Sequence, residues 1–109
     1  MIFKGSGKTI AAMVPAEFRV SVSRLTKATG IENLELTNSK EAYEKTGYPV
    51  GGMPCFGYDA ILVVDPKVLE KEYVYTGGGS EFSLVKISTE EIKRIAKPIV
   101  QNIRGNKSN

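Results

Sequence analysis

Any fold for this chain must be built around Thr46 to Gly57, TGYPVGGMPCFG. Glycines at 47, 51, 52 and 57 and prolines at 49 and 54 crowd this stretch beyond what a helix or a central strand tolerates, so it is a loop. Pro49 and Pro54 fix their own φ and push Tyr48 and Met53 toward extended backbone, which stiffens the loop. Gly51 and Gly52 carry no Cβ, so their N–H groups can approach a ligand oxygen, while Tyr48, Met53 and Phe56 can wall an apolar pocket. The same residues also suit a structural loop that crosses the end of a sheet.

The chain has one cysteine and no histidine, which excludes Cys/His zinc sites, Cys–His dyads and Ser–His–Asp triads. Acid–base chemistry is left to carboxylates, lysines, tyrosines, a bound substrate or water. An apolar content of 41% over 109 residues suffices for one core, and a single domain over residues 1–104 is expected, followed by a disordered tail at 105–109. No run nears the roughly 18 apolar residues of a membrane span, and no secretory signal layout opens the chain, so a cytosolic protein without a membrane partner is expected. Charge is uneven: five basic and one acidic residue in 1–30, five and eleven in 31–92, five and none in 93–109. Basic ends around an acidic middle fit either a polyanion contact or a solvated surface.

Met1 to Lys4, the turn Gly5-Ser6-Gly7 and the apolar run Thr9 to Val14 predict a hairpin. Ser21 or Ser23 caps a short helix through Ala28, stopped by Gly30, and Leu34 to Leu36 is a short strand. Asn38 with Glu41 forms a capping box for a helix closed by Gly47. Ile61 to Val64 is a buried strand ended by Asp65-Pro66, and one helical turn follows over Val68 to Lys71. Tyr73 to Tyr75 and Phe82 to Ile87 pair across Gly77-Gly78-Gly79. Ser88 with Glu91 opens a last helix whose stripe, Ile92, Ile95, Ala96, Ile99, Val100 and Ile103, packs on the core, with a kink or break near Lys97 caused by Pro98.

Gly5-Ser6-Gly7-Lys8-Thr9 imitates the end of a phosphate-binding P-loop, but the position five before Gly7 is Ile2, not glycine, and strand rather than helix follows. Cys55 lacks any histidine to activate it and reads as a small packing residue. Lys93, Lys97 and Arg104 share the outer side of the expected last helix, either as a phosphate-contacting strip or as a solvated face. Gly77 to Gly79 with Ser80 can present N–H groups to an anion or simply turn the chain.

TGYPVGGMPCFG, the strand ILVVD and VYTGGGSEFSLVKIS together resemble the YbaK and prolyl-tRNA-synthetase-associated editing-domain family, from Met1 to about Ile95. Gly47, Gly51, Gly52, Pro54 and Gly57 match its glycine-proline pattern, with Gly77 to Ser80 at a fitting distance. The resemblance implies an α+β fold with a mixed, partly barrel-like sheet flanked by helices. It implies hydrolysis of the ester of mischarged tRNA carrying alanine, cysteine or serine, with tRNA and a synthetase as partners and no cofactor. The alternative is a catalytically silent module that binds tRNA or a synthetase through the same pocket. By the same resemblance Gly51 and Gly52 hold the aminoacyl end, Tyr48, Pro54, Phe56 and Gly57 shape the pocket, and Gly77, Gly78, Gly79 and Ser80 face it. The family's lysine on its first core strand falls about two residues before Met1, and Lys4 lies on the opposite strand face. Either the chain begins inside a longer protein or it is a shortened member.

Overall fold

The first turn settles the opening of the chain. In the computed structural model, which describes residues 1–48, 58–78 and 84–107, Ser6 (φ 50°) and Gly7 (φ 73°) are both left-handed. They link β1 (Ile2–Gly5) to β2 (Lys8–Met13) in an antiparallel register from Ile2 opposite Ala11 to Gly5 opposite Lys8. Two left-handed residues between paired strands match the right-handed twist of a tight hairpin. Thr9 therefore continues a strand, and the P-loop lookalike has no helix to point at a phosphate.

β2 lies at the centre of a five-stranded mixed sheet, with β1 and then β4 (Glu35–Leu36) on one side and β5 (Ile61–Val64) and then β8 (Ile99–Val100) on the other. β4 pairs antiparallel with β1, while β5 runs parallel to β2 and β8 parallel to β5. The unbroken apolar run of β5 follows from burial on both faces. Ile2, Ala11, Leu62 and Val64 meet Ala42 and Ile92 on one side. Phe3, Ile10, Ala12 and Val63 meet Leu25 and Ile103 on the other.

Local signals place the helices. α1 (Val22–Thr29) begins where Ser21 Oγ accepts the Arg24 N–H and ends at left-handed Gly30. α2 (Ser39–Thr46) carries the full capping box, with the Glu41 N–H on Asn38 Oδ1 at 2.8 Å and the Asn38 N–H on Glu41 Oε1 at 3.3 Å, and stops at Gly47. A 3-10 turn (Val68–Glu70) follows β5, and β6 (Tyr73–Gly77) pairs antiparallel with β7 (Leu84–Ser88). α3 (Thr89–Ala96) starts where Ser88 Oγ accepts the Glu91 N–H. Among the described residues no helix is long and apolar enough to cross a membrane.

At the C-terminal end the expected break near Lys97 is present, but the helix does not resume beyond it. Pro98 stops α3 outright: Lys97 turns left-handed (φ 46°), and Ile99 and Val100 join the sheet beside β5. A residue before proline is pushed out of the helical region, and β5 offers an unpaired parallel edge. The predicted stripe is thereby divided, with Ile92 packed on one face of the sheet, Ile103 on the other, and Ile95 half exposed. Of the expected tail, residues 105 to 107 belong to a strand, β9 (Arg104–Lys107), which pairs with β3 (Phe18–Val20), while 108 and 109 lie outside the described residues. Gly105 permits that approach, since a Cβ there would sit 3.3 Å from the Arg19 carbonyl. Finally, Lys93, Lys97 and Arg104 do not form a strip on one helix, because Arg104 stands on β9.

The second carboxylate oxygen of Glu41 pairs with Lys4, tying α2 to β1. This hydrogen bond raises the lysine's pKa, and the same bond, helped by the Asn38 N–H, lowers that of Glu41. A lowered carboxylate pKa contributes stability that is lost as pH falls through it, and a raised amine pKa contributes stability that is lost as pH rises through it. The difference in urea midpoint between wild type and Lys4→Met is thus expected to hold across the neutral range and to vanish at both extremes. A difference that persists at about pH 2, below carboxylate titration, would assign it to packing instead.

Candidate functional site

Described residues that adjoin the two glycine-rich stretches, Tyr58 and Gly77, line the same cavity. A hollow of about 270 Å³ is lined, among the described residues, by Met1, Ile2 and Ala11 to Met13 from the first hairpin and by Leu62 of β5. Tyr58, next in sequence to Gly57, and Tyr75 to Gly77, which precede Gly78, complete its wall. β1 and β2 present this lining because their pairing continues to Met1, whose carbonyl accepts the Ala12 N–H at 2.9 Å.

Tyr48 stands half-buried just beyond the α2 C-cap, where its N–H donates to Thr46 Oγ1 at 3.2 Å. Thr46 Oγ1 donates to the Ala42 carbonyl at 2.7 Å, so a buried hydroxyl anchors the chain as it leaves the helix. The Tyr48 ring meets that of Tyr58, with centroids 6.0 Å apart and planes tilted by 57°, within the range of favourable aromatic contacts. Tyr48 thus supports the cavity through Tyr58 and does not itself line it. Gly51, Gly52, Pro54, Phe56 and Gly57 lie outside the described residues, as do Gly79 and Ser80. Gly77 is on the cavity wall at the end of β6, and Gly78 is exposed beside it.

The described lining is mainly apolar and has no carboxylate, lysine or arginine side chain; its side-chain hydroxyls are those of Tyr58, Tyr75 and Thr76. Such a wall selects by shape and offers no charged side chain to stabilise developing charge, a role that backbone N–H groups can fill. Among the described residues no cluster of three acidic, cysteine or histidine side chains could hold a metal ion. Tyr58, Tyr75 and Thr76 escaped the sequence reading, although each stands within two residues of a glycine loop that it singled out.

The basic residues divide. Lys93 pairs with Glu90 at 2.7 Å along α3, and Lys97 caps that helix. Arg104 Nε reaches Asp65 Oδ1 at 3.0 Å, and its guanidinium lies 5.6 Å over the Phe18 ring. Asp65 is fully buried and also accepts the Lys67 N–H on Oδ1 and the Ile103 and Arg104 N–H groups on Oδ2. The carboxylate that ends the apolar strand is therefore a structural junction.

Comparison with known proteins agrees with this architecture. The structure of the hypothetical protein APE2540 superposes with a TM-score of 0.87 at 30% identity, covering 95% of this chain and 71% of the other. A protein described as a candidate trans-editing enzyme for prolyl-tRNA synthetase has the same fold, with a TM-score of 0.85 at 21% identity over 96% and 68% of the two chains. Proline–tRNA ligase from Desulfotalea psychrophila (strain LSv54 / DSM 12343) is 26% identical over 91 residues, 83% of this chain and 16% of the ligase. The chain thus spans about a sixth of the length of that relative. With the aminoacyl-tRNA editing domain matched over residues 1–95, the chain belongs to that family.

Proposed function

We propose that this chain hydrolyses the ester of a mischarged tRNA carrying a small amino acid such as alanine, cysteine or serine, in the cytosol. The observation that carries the reading is that one cavity is lined by both Tyr58 and Gly77, the described residues that adjoin the two glycine-rich stretches. A volume of about 270 Å³ suits a small aminoacyl group with its ribose at the mouth. The ester is already activated, so fixed N–H donors at the carbonyl oxygen and an admitted water suffice without histidine. In this reading Gly51 and Gly52 supply those donors, Pro54, Phe56 and Gly57 shape the pocket, and Gly77, Gly78, Gly79 and Ser80 face it. The tRNA's terminal ribose hydroxyl assists the water, as the family resemblance implies. Lys93 and Lys97 contact tRNA phosphates, and a prolyl-tRNA synthetase is the partner suggested by the similarity to its ligase.

A second reading, a silent module that binds tRNA or a synthetase, draws support from the lack of a carboxylate or lysine side chain in the described lining. A panel of alanyl-, seryl- and cysteinyl-tRNA separates the two when binding of a non-hydrolysable aminoacyl-adenosine analogue is followed in parallel. Release of amino acid from at least one member is the expected result. Analogue binding without cleavage of any member would establish the silent module, and neither binding nor cleavage would remove both readings.

A further inference from the structure

The β6–β7 ribbon has two unlike faces. Its register sets Tyr73 opposite Ser88, Tyr75 opposite Lys86 and Gly77 opposite Leu84. Strand alternation puts these six on one face and Val74, Thr76, Val85 and Ile87 on the other. Val74 and Ile87 pack on the core, yet on the first face Tyr73 is 45%, Tyr75 67% and Leu84 71% exposed. Single exposed apolar side chains need no explanation, but three on one face of a narrow ribbon mark a contact surface. The Lys86 ammonium lies 4.4 Å from the Tyr73 ring centroid and is the charged side chain of these two strands. Tyr75 and Gly77 of this face line the cavity together with Thr76 of the other, so the end of the ribbon forms part of the cavity wall and the exposed Tyr75 ring stands at its edge.

We propose that this face is a stacking platform for the unpaired 3′-terminal nucleotides of RNA. The inference rests on the editing reading, because an ester held in the cavity is bonded to a ribose, whose base and preceding nucleotide must lie close to the mouth. Tyr75 is at that mouth, and Tyr73 is the next residue along the same face. Aromatic rings exposed on strands receive unpaired bases face to face. Lys86 between them offers a phosphate contact, and no carboxylate in β6 or β7 opposes it.

The test is direct binding of a short RNA hairpin bearing an unpaired CCA end, compared with the same hairpin made blunt. Wild type is expected to prefer the overhang. Tyr73→Ala should weaken overhang binding about tenfold, whereas Tyr73→Phe, which keeps the ring, should not. The slope of log affinity against log salt should stay the same in Tyr73→Ala, because no phosphate contact is removed. Equal affinity for blunt RNA, no RNA binding at all, or indifference to Tyr73→Ala in a variant that melts like wild type would overturn the platform, the last pointing to a protein contact instead. Ring-dependent binding without ester cleavage would sink the enzymatic reading and leave the platform standing, while cleavage indifferent to Tyr73 would do the reverse.

Discussion

Asp65→Ala is expected to cost the fold about 3–5 kcal/mol, the range for removing one partner of a buried ion pair. The carboxylate is fully buried and serves Lys67, Ile103 and Arg104 at once, so truncation leaves the buried Ile103 N–H, the Lys67 N–H and a guanidinium without their acceptor. It also releases the segment that enters β9 from the end of β5, where the Asp65 N–H donates to the Met13 carbonyl at 3.0 Å. Arg104→Ala should cost less, because three backbone N–H groups still hold the buried charge. Urea unfolding of both variants checks this order. A loss below about 1 kcal/mol for Asp65→Ala, the scale of an ordinary single hydrogen bond, would show that solvent replaces the junction at little cost.

Gly52→Ala should leave the fold intact and lower kcat/KM for a cleaved aminoacyl-tRNA by about a hundredfold or more, the usual cost of losing one oxyanion donor. The expectation follows from the loop sequence, in which adjacent glycines allow N–H groups to reach the ester carbonyl and a Cβ obstructs that approach or the backbone conformation behind it. Kinetics should be measured with analogue binding, since a donor used only in the transition state lowers kcat while leaving ground-state binding nearly unchanged. Unaltered rate and affinity in the variant, with an active wild type, would place the ester on a different loop.

Features governed by neighbours a few residues away were legible before the structure. The Asn38–Glu41 box, the Ser21 and Ser88 caps and the left-handed stops at Gly30 and Gly47 all stand as read, because capping groups lie three or four residues from what they satisfy. Of the glycines singled out in the sequence, Gly77 stands on the cavity wall, while Gly51, Gly52, Gly57 and Gly79 lie outside the described residues. That Tyr73 and Tyr75 share their face with Leu84 and Lys86, in contrast, became visible only through the register with β7.

Past Pro98 the local signals ran out. Ile99, Val100 and Ile103 keep helical spacing in the chain, yet a parallel edge on β5 takes the first two and the opposite face of the sheet takes the third. Arg104 is a basic residue in a basic segment, and nothing near it in sequence names a buried carboxylate 39 positions away. The sequence by itself determined the first hairpin and where the three helices start and stop, because those choices are made by dihedral preference and by hydrogen bonds within one turn. Only the tertiary structure decided which edge the last segment joined and which charge Arg104 met, because those contacts exist once distant parts of the chain have packed.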